Sequence, residues 1–355
     1  MREDALFSSI ERRESVVRRL EAAAAGTATG NEEEENQEAA ACLRLFEVRA
    51  QTLRFHRALI AWSGWRGCGA AETAIAAHRS FLETTAARTT SQLGHFGDDV
   101  RRQAATRLGL RLAVVGKGGA GKTTISATLA RLLARSGRRV LAADLDTCPG
   151  LAYSLGVRDA RSGLPEAALE RHDGVTYGWR LSGGLDPMGA VERFATTAPD
   201  GVAYLGVAKI EESGTAPRPP SVAAVLEVLL GLGEPAWDVI GDLEAGTTTP
   251  FERQHLFADR VVVVVGPSCA SALAARRLLP LLGDVPTVLV ANRFGDKPDH
   301  AGLVPAVRVP FDPEVADAER RGLSPLDQCP ASPVVRAVGH LADTLLAHAA
   351  QEVAP

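Results

Sequence analysis

From about residue 111 onward the chain alternates short apolar runs with stretches of helical periodicity. Runs at residues 112–115, 140–143, 202–207, 237–241, 261–265 and 288–290, with a shorter one at 307–309, are valine-rich and nearly uninterrupted by polar residues. Such runs suit strands buried on both faces of a parallel sheet. Between several of them, at residues 125–134, 221–232 and 270–282, the spacing changes to that of helices. The alternation predicts an α/β fold with a doubly wound, mostly parallel sheet over residues 109–355. Residues 1–108 read differently, being rich in Ala, Arg and Glu and poor in strand formers. Leu43, Phe46, Ala50, Leu53 and Ile60 form an apolar stripe, with Arg44, Arg49 and Arg57 off it, and a second helix is expected over residues 71–93. The stretch around Trp62 and Trp65 reads as a turn between them, and the acidic run at residues 31–38 as a solvated linker or a helix start. The front of the chain is thus expected to be a small helical region for partner docking or dimer support.

Chemistry concentrates where the first strand meets the first helix. Gly116-Lys117-Gly118-Gly119-Ala120-Gly121-Lys122-Thr123-Thr124 has the G-x-x-x-x-G-K-T spacing of a phosphate-binding loop. Glycines let consecutive backbone N–H groups point into one concavity, and the following helix adds its positive N-terminal end. Lys122 would reach the β- and γ-phosphates, and the Thr123 hydroxyl would ligate Mg²⁺. The chain has only four lysines, Lys117, Lys122, Lys209 and Lys297, so half of them stand in this loop while arginine serves elsewhere. A nucleotide-binding protein with a P-loop NTPase domain is the consequence.

Such a loop needs carboxylates at neighbouring strand ends to hold Mg²⁺ waters and to orient an attacking water. Asp144 and Asp146 follow the second strand, and Asp242 ends the strand that begins near Trp237. Asp242 fits the carboxylate that bonds a Mg²⁺ ligand water. Gly246 would let a switch segment move towards the γ-phosphate.

The second lysine, Lys117, makes the loop resemble the deviant Walker A group of septum-positioning, plasmid-partition and metalloenzyme-maturation ATPases. The resemblance implies an ATP-dependent homodimer in which Lys117 reaches the phosphates held by the other subunit, Asp146 positions the hydrolytic water and Asp144 assists near Mg²⁺. Guanine-reading relatives carry N-K-x-D, whereas here Asn292-Arg293-Phe294-Gly295-Asp296 puts the aspartate one place too late. ATP is therefore favoured, with Asn292 matching the asparagine that reads adenine. Three segments resemble the carbon monoxide dehydrogenase maturation ATPases of the CooC type. They are the first switch from Asp144 to Leu155-Gly156, Asp242-Leu243-Glu244-Ala245-Gly246, and the run from Val309 to Gly322. In the last, Pro310, Phe311 and Asp312 would flank adenine.

The chain departs from that branch in two places. Where nickel-handling members carry C-x-C, it reads Pro217-Arg218-Pro219-Pro220, and prolines offer no ligand atom. Cys148 reads as a small buried filler and His172 with Asp173 as a surface turn. The helical region ahead of the loop is the second departure. The net charge of −4 and the absence of a compact basic helix make nucleic acid an unexpected partner. Five scattered cysteines, no spanning apolar run, and no Lys or Arg from Ala337 onward predict a cytoplasmic protein without a membrane partner. The expected function is an ATP-hydrolysing dimerisation switch that remodels or matures an unidentified protein client. A positioning or partition ATPase, or an ATP-sensing regulatory module with little turnover, are the alternatives.

Overall fold

The computed structural model describes residues 109–146, 149–160, 163–171, 179–207, 219–232, 237–246, 254–283, 285–294 and 302–351. The helices expected within residues 1–108 lie outside the described residues, as do Cys148, His172 with Asp173, Lys209, Pro217, Arg218, Asp296 and Lys297. By its contacts the chain divides into two compact units, and the sheet and cleft described below belong to the one made of Leu110–Asp173 and Tyr177–Leu345.

Every apolar run singled out above forms a strand. β1 (Arg111–Gly116), β2 (Val140–Leu145), β7 (Asp238–Leu243) and β8 (Arg260–Val265) are buried along their whole length. Burial on both faces leaves no solvent side, which is why these strands carry valine runs rather than alternating polar residues. β6 (Ala203–Gly206), β9 (Thr287–Phe294) and β10 (Val307–Pro310) extend the sheet, whose order is β10-β9-β8-β1-β7-β2-β6-β5. All pairings in it are parallel except that of β5 (Thr196–Thr197) with β6. From the central β1/β7 pair the chain winds one way through β2 and β6 and the other way through β8, β9 and β10. Loops that leave the carboxyl ends of strands at such a reversal separate and open a crevice.

The helix α1 (Lys122–Arg135) follows β1 and is buried nearly all round, with Ile125, Leu129 and Leu133 at 1% exposure or less. Its two buried charged residues are Lys122 at the start and Arg131 further along, and Arg131 is neutralised within the fold. The guanidinium donates to both oxygens of Asp327 at 2.6 and 2.8 Å, to Asp200 at 2.6 Å and to the Ser324 hydroxyl at 2.9 Å. A buried cation is tolerated when every donor finds an acceptor, and breaking such a set is costly. These bonds tie α1 to α7 (Pro325–Gln328) and to the 3₁₀ turn ahead of β6.

Three features depart from the sequence expectation. The helix expected over residues 270–282 is an α-helix, α5 (Cys269–Leu278), that tightens into a 3₁₀ turn at Leu279–Leu282. Pro280 removes a backbone donor and clashes with the preceding turn, so the helix cannot continue regularly. A small antiparallel hairpin, β3 (Leu169–Arg171) with β4 (Trp179–Leu181), and the two-residue β5 were not anticipated. They are too short to carry a readable alternation. The helix α3 (Pro187–Phe194) was also unanticipated, although Asp186 caps it by accepting from the Gly189 amide at 2.7 Å and Pro187 occupies its first position.

Candidate nucleotide-binding site

The loop from Gly116 to Gly121 joins β1 to α1 and has a conformation that few residues other than glycine could adopt. A side chain at Gly116 would run into the backbone carbonyl of Val264 on the neighbouring β8. Gly121 caps α1 with a φ of 93°, and a Cβ there would collide with the Asn292 amide. That amide is buried and donates to the Ala120 carbonyl at 2.7 Å. Asn292, at the carboxyl end of β9, therefore braces the loop from below. The Gly246 amide donates to the Gly116 carbonyl at 3.2 Å, tying the segment after β7 to the loop start.

Beneath the loop, two acids stand side by side. Asp144 on β2 and Asp242 on β7 are register partners, both essentially without exposure. Asp242 accepts from the Thr123 hydroxyl at 2.7 Å and from the Ser126 hydroxyl at 3.3 Å. Asp144 accepts from the backbone amides of Leu151 at 2.9 Å and Asp146 at 3.2 Å. Burial, and then the neighbouring Asp242, push the Asp144 carboxyl up to about 7. Burial likewise raises Asp242 to about 6, against the opposing pull of the Thr123 hydroxyl and Lys122. Burial and these two acids also hold the Tyr204 hydroxyl protonated well above its usual range.

This donor set fits a magnesium ion bound together with phosphates. The Thr123 proton is committed to Asp242, which leaves the hydroxyl lone pairs free for a cation, and among the described residues Lys122 is the one cation acting on two adjacent acids. Among the described residues no cluster of three or more His, Cys, Asp or Glu side chains could hold a metal by itself. The residues therefore suit an ion that takes most of its ligands from phosphate and water.

Above the loop lies a cleft of about 560 Å³, a size ordinary for small-molecule sites. Of the residues anticipated from sequence, Gly118, Gly119, Gly121, Lys122, Thr123, Thr124 and Asp146 line it. Asp144, Asp242 and Asn292 stand behind the loop and position it. Lys117 is exposed and outside the lining of its own chain's cleft. Pro310, Phe311 and Asp312 do not line it either. Phe311 is 56% exposed, while Asp312 caps α6 (Pro313–Arg320) and accepts from Ser332.

The remaining walls were not anticipated. Gly150 precedes α2 (Leu151–Leu155) as its N-cap, Tyr153 and Ser154 lie within that helix, and Ala245 comes from the segment after β7. Arg293, Glu319, Arg320, Gly322 and Leu323 close the far side. Several of these lie in segments already noted for resemblance, but nothing in a helical Glu-Arg-Arg stretch distinguishes a cleft wall from a solvated face. No described helix is long and apolar enough to cross a membrane.

Comparison with known proteins agrees with this geometry. The family model of the CobQ/CobB/MinD/ParA nucleotide binding domain matches residues 112–326, more than half of the chain. The carbon monoxide dehydrogenase accessory protein CooC of Rhodospirillum rubrum is 28% identical over 246 residues, or 62% of this chain and 91% of that protein. An uncharacterised ATP-binding protein of Methanocaldococcus jannaschii is 27% identical over 233 residues, or 60% of this chain and 90% of the relative. Among solved structures, the septum site-determining protein MinD of Pyrococcus horikoshii, complexed with Mg-ADP, superposes with a TM-score of 0.53 at 21% identity. It covers 67% of this chain and 96% of that one, a likeness of fold. With glycine loop, paired acids and sheet order in place, the matched model settles the family: the chain belongs to the CobQ/CobB/MinD/ParA nucleotide-binding family.

Proposed function

We propose that the protein is a Mg²⁺-dependent ATP hydrolase that works as an ATP-gated homodimer of the deviant Walker A kind and acts on a protein client. The observation that carries this reading is the division of labour between the two loop lysines. Lys122 is buried at the start of α1 and lines the cleft, whereas Lys117 is exposed and outside the lining of its own chain's cleft. A cation left outside its own site is suited to complete the site of a second copy. Lys122 and the loop amides would hold the β- and γ-phosphates, and Thr123 with Asp242 and Asp144 would position Mg²⁺. Bound there, the ion would neutralise charge on the phosphate oxygens. Asp146, at the cleft edge with its amide anchored on Asp144, would orient a water in line with the γ-phosphate. Asn292, besides bracing the loop, would read adenine, with backbone groups of Pro310, Phe311 and Asp312 flanking it.

The likeness to CooC supports a maturation or remodelling role, carried out without a C-x-C thiolate site. Residues 1–108 are then a docking or dimer-supporting region. Light scattering with and without Mg-ATP, alongside phosphate release, tests the core of the reading. Wild type should dimerise with ATP and turn it over. Asp146→Ala should remain an ATP-bound dimer with turnover reduced by about a hundredfold, and Lys117→Ala should bind ATP but stay monomeric. A Lys117→Ala protein that dimerises like wild type would remove the cross-subunit role. Affinity purification of Asp146→Ala with Mg-ATP, against wild type with ADP, would then identify the client class.

A further inference from the structure

We propose that Arg293 is a phosphate-binding residue of the cleft, and that Glu319 holds it in reserve while the cleft is empty of nucleotide. The inference rests on the reading of the cleft as a nucleotide site. Arg293 has an unusual backbone. Its φ is 60°, a left-handed conformation that only Asp200 shares among the described non-glycine residues. The pairing of β9 with β10 also steps from Asn292 opposite Val309 to Phe294 opposite Pro310, so Arg293 is left out of the ladder. Bulges of this kind re-aim one side chain, and local strain at such positions persists where the surrounding structure demands it. Here the re-aimed side chain lines the cleft.

What Arg293 meets there is informative. Its guanidinium donates to one oxygen of Glu319 at 2.7 Å, while the other oxygen accepts from the Thr124 hydroxyl in the first turn of α1. The two donors come from different elements, 169 residues apart in number (124 to 293), and converge on a single anion beside the loop. A guanidinium and a hydroxyl at a helix N-terminus form a pairing that a phosphate oxygen satisfies equally well. Glu319 therefore stands in for a ligand anion, and does so from within the chain. A carboxylate carries one negative charge where a nucleotide polyphosphate carries several, so the nucleotide should displace it and leave Arg293 and Thr124 on phosphate. Glu319 is thus an inbuilt competitor, and its release would uncouple α6 from α1.

Titration calorimetry with Mg-ATP and with ADP tests this on the full chain, with wild type and Lys122→Ala as references. Arg293→Ala should weaken both nucleotides about tenfold or more, the loss expected of a hydrogen bond to a charged group. Glu319→Gln keeps a hydrogen-bond acceptor but removes the competing charge, so it should tighten both severalfold. That gain should shrink in the Arg293→Ala background, because the two residues act on one contact. Thermal melting without nucleotide checks that each variant is folded. If wild type binds no nucleotide, the nucleotide reading itself fails. If wild type binds and Arg293→Ala equals it, or if Glu319→Gln binds more weakly than wild type, the reading of the cleft stands and the assignment of Arg293 and Glu319 is overturned.

Discussion

Gly121 joins three requirements at one position. It must take a left-handed φ, end the phosphate loop, and leave room for the Asn292 amide beneath it. A methyl group at this position strains the backbone and pushes Asn292 off the Ala120 carbonyl, leaving a buried amide without its partner. We expect Gly121→Ala to lower stability by about 1–3 kcal/mol and nucleotide affinity by at least an order of magnitude. Urea unfolding read beside calorimetric affinity measures both. The glycine itself was legible from spacing, as were Lys122, Thr123 and Asp242, because a phosphate loop demands those residue types in that order. The bracing role of Asn292 was not legible. Resemblance assigns Asn292 to adenine, and its amide also bonds a carbonyl 172 positions away, a pairing that only the arrangement of β9 beside the loop creates.

The element α6 shows how one residue serves a helix. Asp312 accepts from the Glu314 amide at 2.9 Å with one oxygen and from the Ser332 hydroxyl at 2.6 Å with the other. The Ser332 bond chiefly holds the Asp312 carboxyl below its ordinary range. With both oxygens engaged, the side chain fastens the start of α6 to the segment before α8 (Pro333–Gln351). Asp312→Ala should therefore cost about 0.5–2 kcal/mol, the usual loss for an N-cap, with Asp312→Asn losing less. Chemical denaturation measures it, and Mg-ATP affinity should stay close to wild type, because the carboxylate is committed to the fold and only backbone groups of this stretch are assigned to adenine. Sequence periodicity located the strands of the central sheet well for a simple reason. Burial on both faces forces long apolar runs, and such runs are readable without knowing their neighbours. The hairpin of β3 with β4 escaped because three-residue strands derive their pairing from context, here from α4 (Pro219–Gly231), where Glu227 accepts from the Leu181 amide at 2.6 Å.

At the scale of the whole molecule, the paired acids make stability depend on pH in a defined direction. Asp144 and Asp242 have folded-state values of about 7 and about 6, both raised above the ordinary carboxylate value of 3.8 that holds in the unfolded chain. A raised carboxylate binds its proton more tightly in the folded state. Its favourable contribution is complete below about pH 4 and is lost as pH rises through 6 to 7. Without nucleotide or Mg²⁺, the melting temperature should carry a downward component across that window. Asp242→Asn should flatten it and raise the melting temperature at pH 8 by a few degrees, because one of two facing buried charges is gone and the Thr123 and Ser126 hydroxyls can still bond the amide. Scanning calorimetry from pH 4 to 8 in chelator decides this, and an unchanged slope in Asp242→Asn would show that the pair does not carry the effect.

The chain by itself determined the sheet-forming runs, the phosphate loop and the acids that end β2 and β7. Each of these follows from short-range demands: double burial, backbone conformation at glycine, and charge next to phosphate. The tertiary structure decided which distant groups meet. It set Asp144 opposite Asp242 in register, put Asn292 under the loop, and brought Arg293 and the Thr124 hydroxyl to the two oxygens of Glu319. Such meetings depend on strand order and on how α6 lies against α1, and a linear pattern of polar and apolar residues contains neither.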